Sequence, residues 1–177
     1  MKFSVAYTGL KNGVHSFTYL VDRTFFEARA YSPVKSGDVE VELEFDKRDT
    51  FFVLGFRFGG LVNVHCDRCT ADVTLPVNGA ASLLVKFENG ESYDVADDEV
   101  MYISPKAIEV DFSQFLYENI IVNVPLYKTC DDDISGKQAC NEKVLNYLEN
   151  GDKSGSEEID PRWNKLKQLK IDKDGTS

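Results

Sequence analysis

Basic residues are scarce. The 177-residue chain carries 20 Lys+Arg against 30 Asp+Glu, for a net charge of −10 and a pI near 4.7. Broad phosphate-binding surfaces need a basic field, so any nucleic-acid contact has to be local or pass through a partner. Long apolar runs are missing too, and none approaches the roughly 20 residues that span a bilayer. The opening Met1-Lys2-Phe3-Ser4-Val5-Ala6-Tyr7-Thr8 lacks the apolar centre of a secretory leader. No Asn-x-Ser/Thr glycosylation acceptor occurs. The expectation is a cytoplasmic protein with reduced thiols and no membrane partner. Histidine is limited to His15 and His65, and no local signature pairs either with a nucleophile. There is no P-loop, and Gly55, Gly59 and Gly60 have the wrong spacing for a dinucleotide fingerprint. No small-molecule substrate and no enzymatic activity are expected.

Apolar residues make up 42% and charged residues 28% of the chain, the balance of one ordinary domain plus a tail. A core of that size needs no disulfides. Val39, Val41, Leu43 and Phe45 alternate with Glu40, Glu42 and Glu44, and Phe52, Leu54, Phe56 and Phe58 repeat the pattern. Such alternation marks strands with one buried face. Asp46-Lys47-Arg48-Asp49 is the expected turn between them, and Gly59-Gly60 is expected to punctuate the step to Leu61–His65. Asn12-Gly13, Asn78-Gly79 and Asn89-Gly90 are hairpin signals. Short helices are expected at Thr24–Tyr31 and Asn141–Glu149. Another is expected near Asp111–Ile121, with Asp111 as N-cap and Phe112, Phe115, Leu116 and Ile120 at helical spacing. The predicted fold is α+β: a mainly antiparallel sheet or open β-barrel, a packed helix after Asp111 and a C-terminal helix.

The predicted organisation is a single domain over 1–149, an acidic Gly/Ser linker over 150–159, and a basic amphipathic helix and tail over 160–177. Asp160 suits a helix cap and Pro161 its first position. Trp163, Leu166 and Leu169 recur every three residues among Arg162, Lys165, Lys167 and Lys170. Those four bases and Trp163 are candidate RNA contacts, the bases on phosphates and Trp163 stacking. The competing role is packing of Trp163, Leu166 and Leu169 on the body.

The four cysteines require an explanation other than disulfides. Cys66-Asp67-Arg68-Cys69 lies between two predicted strands, and Cys130 and Cys140 follow about sixty residues later. A C-x2-C turn lets both sulfurs face one metal ion. Three readings compete: a closed structural zinc site using Cys66, Cys69, Cys130 and Cys140; free thiols buried as small apolar groups; and a redox pair, for which no βαβ setting is visible. Arg68 and Lys128 lie beside the cysteines and could offset thiolate charge. His65 precedes Cys66 on a strand and should face the other way. Asp131-Asp132-Asp133 is expected to be solvated loop rather than a hard-cation site.

Cys66-Asp67-Arg68-Cys69, Ile108-Glu109-Val110-Asp111 with Phe112–Ile121, Val124-Pro125, Cys130 and the ending Asp160-Pro161-Arg162-Trp163 together resemble the YceD family, the large ribosomal RNA subunit accumulation proteins. The resemblance spans about residues 1–170. It implies a role in accumulating large-subunit (23S) ribosomal RNA and in ribosome assembly. It also implies zinc held by Cys66, Cys69, Cys130 and Cys140, and no catalytic residues. The implied partner is large-subunit ribosomal RNA or a pre-ribosomal particle. The alternative is an acidic interaction module that binds a basic ribosomal protein without touching RNA.

Overall fold

Rows of apolar side chains alternating with acids bury only one face, and a chain with period two is extended. Residues 36 to 47 obey this rule and form β3 (Ser36–Lys47), with Val39, Val41, Leu43 and Phe45 buried. The structure, a computed structural model, describes residues 2–87, 100–136 and 140–150. By its contacts the chain divides into two units, residues 1–141 and 142–177.

The first unit is built on a five-stranded sheet of order β2-β3-β4-β5-β6. Around β3 stand β2 (Gly13–Val21), β4 (Phe51–His65), β5 (Asp72–Phe87) and β6 (Val100–Ile103). β2 to β5 pair antiparallel in sequence order, whereas β6 runs parallel to β5. The sheet is open, with β2 and β6 as its edges. Against its inner face lie α1 (Arg23–Glu27), α2 (Ser113–Val122) and a two-stranded antiparallel ribbon of β1 (Ser4–Ala6) with β7 (Glu109–Asp111). The α+β class with a mainly antiparallel sheet and a packed helix is therefore observed. Of the second unit, α3 (Glu142–Asn150) is described, close to the helix expected at 141–149. Asn150, the first residue of the predicted linker, belongs to α3 instead; the rest of the linker and the C-terminal helix lie outside the described residues, as does Asn89-Gly90.

Aromatic rings weld the layers together. Phe56 of β4 meets Phe112 and Phe115 at 5.2 and 5.5 Å between ring centres. Tyr7 meets Phe52 at 4.7 Å, and Phe3 of the N-terminal segment meets Phe25 of α1 at 5.0 Å. Each fully buried Phe contributes about 2–3 kcal/mol. The opposite face of the sheet is open to solvent and presents Ser16, Thr18, Glu40, Glu42, Glu44 and Arg57.

Several expected breaks are absent. Gly59-Gly60 does not interrupt the chain, because β4 runs through it to His65. Gly60 is needed for close approach: a Cβ there would lie 2.1 Å from the Asp38 carbonyl oxygen. Asn78-Gly79 makes no hairpin either, since β5 is continuous from 72 to 87. A Cβ at Gly79 would meet the Phe58 ring at 2.6 Å and the Asn123 side chain at 2.9 Å. In both places glycine admits a neighbour rather than turning the chain. Asn12-Gly13 lies at the start of β2, with Gly13 its first residue, but β1 and β2 pair with different partners and form no hairpin. The turn after β3 is shorter than expected, as Asp46 and Lys47 still pair with Val53 and Phe52. Asp111 closes β7 instead of capping α2 directly. Its Oδ1 accepts from the Ser113 amide at 2.9 Å, and Phe112 occupies the cap with no side-chain bond.

Candidate metal centre

The centre begins with the hairpin between β4 and β5. The Cys66 amide donates to the Ala71 carbonyl at 2.8 Å, and the Thr70 amide donates to the Cys66 carbonyl at 2.9 Å. Thr70 takes a positive φ of 60°, which lets the chain reverse within the four residues between Cys66 and Ala71. The reversal turns the Cys66 and Cys69 side chains inward, and both are buried.

Cys130 arrives on a different segment. Asp67 clamps that segment from inside the hairpin: its amide donates to the Lys128 carbonyl at 2.7 Å, and its Oδ2 accepts from the Lys128 amide at 2.9 Å. The Lys128 ammonium closes on the same oxygen at 3.3 Å. A single 3-10 turn, Cys130–Asp132, follows, with Thr129 and Asp132 capping one another. Beyond it, the Thr74 amide of β5 donates to Asp133 Oδ1 at 2.7 Å, and the Ile134 amide donates to the Thr74 carbonyl at 3.1 Å. Asp132 and Asp133 are thus engaged in fixing the loop, a more structural role than the solvated loop expected of the triplet.

The result is a cluster. The sulfurs of Cys66, Cys69 and Cys130 all lie within 4.8 Å of one another, and Cys69 and Cys130 are 3.3 Å apart. A tetrahedral metal with bonds of about 2.3 Å to sulfur sets the sulfurs about 3.8 Å apart. All four cysteines are unbridged thiols, and three of them are close enough to hold a metal ion. Cys140 Sγ accepts a hydrogen bond from the Arg68 guanidinium at 2.8 Å. That guanidinium pulls the Cys140 thiol below its ordinary pKa, and hydrogen bonding with Cys130 and Cys69 lowers it further. The backbone amides of Asn141 and Ala71 likewise hold Cys69 down, whereas burial pushes Cys130 up. The surroundings therefore favour thiolate at two sulfurs, the form that binds metal.

Arg68 stands where thiolate charge needs offsetting; Lys128 serves Asp67 instead. His65 is directed away from the sulfurs, with Nδ1 3.0 Å from the Thr70 carbonyl and 3.3 Å from Asp72. The clamping role of Asp67 had no sequence signal beyond its place inside the C-x2-C turn. Candidate RNA contacts Arg162, Trp163, Lys165, Lys167 and Lys170 lie outside the described residues. A separate cleft of about 550 Å³ beside α1 is lined by Arg23, Arg29 and Lys35. Its cations are already engaged: Arg23 with Glu27, Lys35 with Asp72, and Arg29 with the Phe25 and Ser113 carbonyls. It offers little to an incoming phosphate.

Residues 54–170 match the family described as Large ribosomal RNA subunit accumulation protein YceD. The chain belongs to the YceD family. The match contains the whole cysteine cluster, β5 and α2, and its description implies a part in accumulation of the large ribosomal RNA. No curated protein and no solved structure matches the chain. Among the described residues of this YceD-family chain, no helix is long and apolar enough to cross a membrane.

Proposed function

We propose that this protein is a zinc-stapled, non-catalytic factor that promotes accumulation of large-subunit (23S) ribosomal RNA during ribosome assembly in the cytoplasm. The observation that carries the reading is the convergence of Cys66, Cys69 and Cys130 within a chain of this family. Cys140 is the fourth proposed ligand, with Arg68 balancing the charge. Four thiolates leave a tetrahedral zinc no open position, which suits a structural ion and not a reactive one. When bound, zinc ties the segment at 130–140 to the β4–β5 hairpin. Closing that loop of about 60 residues costs about 3–4 kcal/mol, against roughly 10–16 kcal/mol from a structural zinc site.

In this reading residues 1–149 form the stapled body, 150–159 a linker and 160–177 a basic arm. Arg162, Lys165, Lys167 and Lys170 meet RNA phosphates while Trp163 stacks on a base. Two measurements test it. Elemental analysis of tag-free protein should return one zinc per chain, lost in Cys66→Ser and Cys140→Ser. Depletion of the protein should lower 23S ribosomal RNA relative to the small-subunit RNA, and unchanged RNA would remove the proposal.

A second reading is favoured by the exposed row Glu40, Glu42 and Glu44 on the outer sheet face. An acidic face steers encounter with a basic partner, so the chain would bind a basic ribosomal protein without RNA contact. Filter binding of purified RNA across a salt series separates the two readings. Affinity that falls with salt supports RNA contact; no RNA binding beside a stable protein complex supports the second.

A further inference from the structure

The sheet has two edges, and they differ. β6 is four residues long, and shortness is one way an edge is blunted. β2 is nine residues long and holds no Lys, Arg, Asp, Glu or Pro, the residues that usually guard an edge. It pairs with β3 along its whole length, leaving its other side without a strand among the described residues. Its side chains alternate cleanly. Val14, Ser16, Thr18 and Leu20 are exposed on the outer face, and His15, Phe17 and Tyr19 are half-buried on the inner one.

One strand inward stands a row of carboxylates in register. Glu44 is opposite Ser16, Glu42 opposite Thr18 and Glu40 opposite Leu20. None of the three has an ion-pair partner within 4.0 Å among the described residues. Ser16, Thr18 and Gly55 leave room beside Glu42 and Glu44 in a depression of about 380 Å³, which Arg57, cross-strand from Glu42, also lines without closing an ion pair with it.

We propose that the β2 edge accepts an extended basic segment of a partner protein, one that alternates Lys or Arg with apolar residues. Main-chain bonds to β2 would supply register, as in strand addition generally. The apolar residues would cover Phe17 and Tyr19. The bases would pass over Ser16 and Thr18 to Glu44 and Glu42, about two strand spacings or 10 Å away, a gap that the paired side chains bridge together. A second copy of this chain fits less well, because its own β2 brings no base to those carboxylates. The inference rests on the protein-partner reading above and identifies where that partner binds.

The test uses the full-length protein and a nine-residue peptide alternating Lys with Val. Binding should shift the backbone amide NMR signals of residues 13–21. Methylating alternate peptide nitrogens in one phase should abolish binding, and in the other phase should spare it, because only one set faces β2. The charge reversal Glu42→Lys with Glu44→Lys should weaken the peptide about ten-fold. Absence of binding, indifference to both methylation phases, or a dimer closed through β2 before peptide is added would overturn the proposal. A basic ribosomal protein that binds while the β2 amides stay unmoved sinks the edge and leaves the protein-partner reading standing.

Discussion

Two adjacent glycines show how little of a residue's role its identity conveys. Gly59 would meet nothing within 4 Å if it gained a Cβ, whereas Gly60 would meet the Asp38 oxygen at 2.1 Å and the Val39 Cα at 2.7 Å. Backbone cannot step aside as a side-chain tip can. Gly60→Ala should therefore destabilise by about 3 kcal/mol, and Gly59→Ala should stay within about 0.5 kcal/mol. Chemical denaturation of both variants checks this, and equal losses would refute it. Four carboxylates, Asp22, Asp67, Glu109 and Asp132, are held below their ordinary values and contribute to the acid limit of the fold. The Thr24 hydroxyl holds the Asp22 carboxyl below its ordinary value. The Lys2 ammonium and then the Ser4 hydroxyl do the same for Glu109, which ties the N-terminal segment to β7. Groups depressed on folding stabilise above their unfolded pKa, and the benefit is lost as pH falls through the folded value. Unfolding midpoints should thus drop below about pH 4, and Asp22→Asn with Glu109→Gln should flatten part of that drop.

α2 shows how an element is held by its buried stripe. Its N-cap residue carries no side-chain hydrogen bond, and the local capping comes from Asp111, one residue earlier, through the Ser113 amide. Phe112 is the largest anchor: it is fully buried and touches Tyr19 of β2 at 5.5 Å and Phe56 of β4 at 5.2 Å. Leu116 and Ile120 continue the buried stripe at helical spacing. Phe112→Ala should cost about 3–5 kcal/mol and loosen α2 ahead of the central strands. Hydrogen exchange that leaves α2 amides as protected as those of β4 would contradict this. The β4–β5 hairpin has the complementary task, since two long strands give it a rigid base from which the short Cys66–Cys69 turn projects.

Across the whole molecule, the proposed staple joins parts far apart in sequence. Cys69 and Cys130 are 61 residues apart in the chain and 3.3 Å apart in space. If zinc bridges them, chelation removes a binding contribution of roughly 10–16 kcal/mol that outweighs the closing cost of about 3–4 kcal/mol. For a chain of this size the thermal midpoint should fall by at least about 10 °C. Calorimetry with and without chelator, followed by zinc repletion, measures it. A midpoint indifferent to chelator would argue for four free thiols. The acidic outer face and the unguarded β2 edge belong to this scale too, since each exists only where several strands stand side by side.

The alternation at 39–45 and 52–58 sufficed to specify strands and the face they bury, because period two is a property of the extended chain alone. Helical spacing from Phe112 to Ile120 did the same for α2, and the C-x2-C turn announced its own geometry. What the chain order could not show was anything that depends on a neighbour. Gly59-Gly60 and Asn78-Gly79 look like breaks in one dimension. In three they are places where Asp38, Phe58 and Asn123 come too close for a Cβ. The meeting of Cys130 with Cys66 and Cys69 is the one long-range contact that the cysteine pattern leads us to expect, whereas the parallel placement of β6 and the Asp67 clamp on Lys128 arise from tertiary packing. Local residue patterns carry no term for such contacts, so folding alone could bring them together.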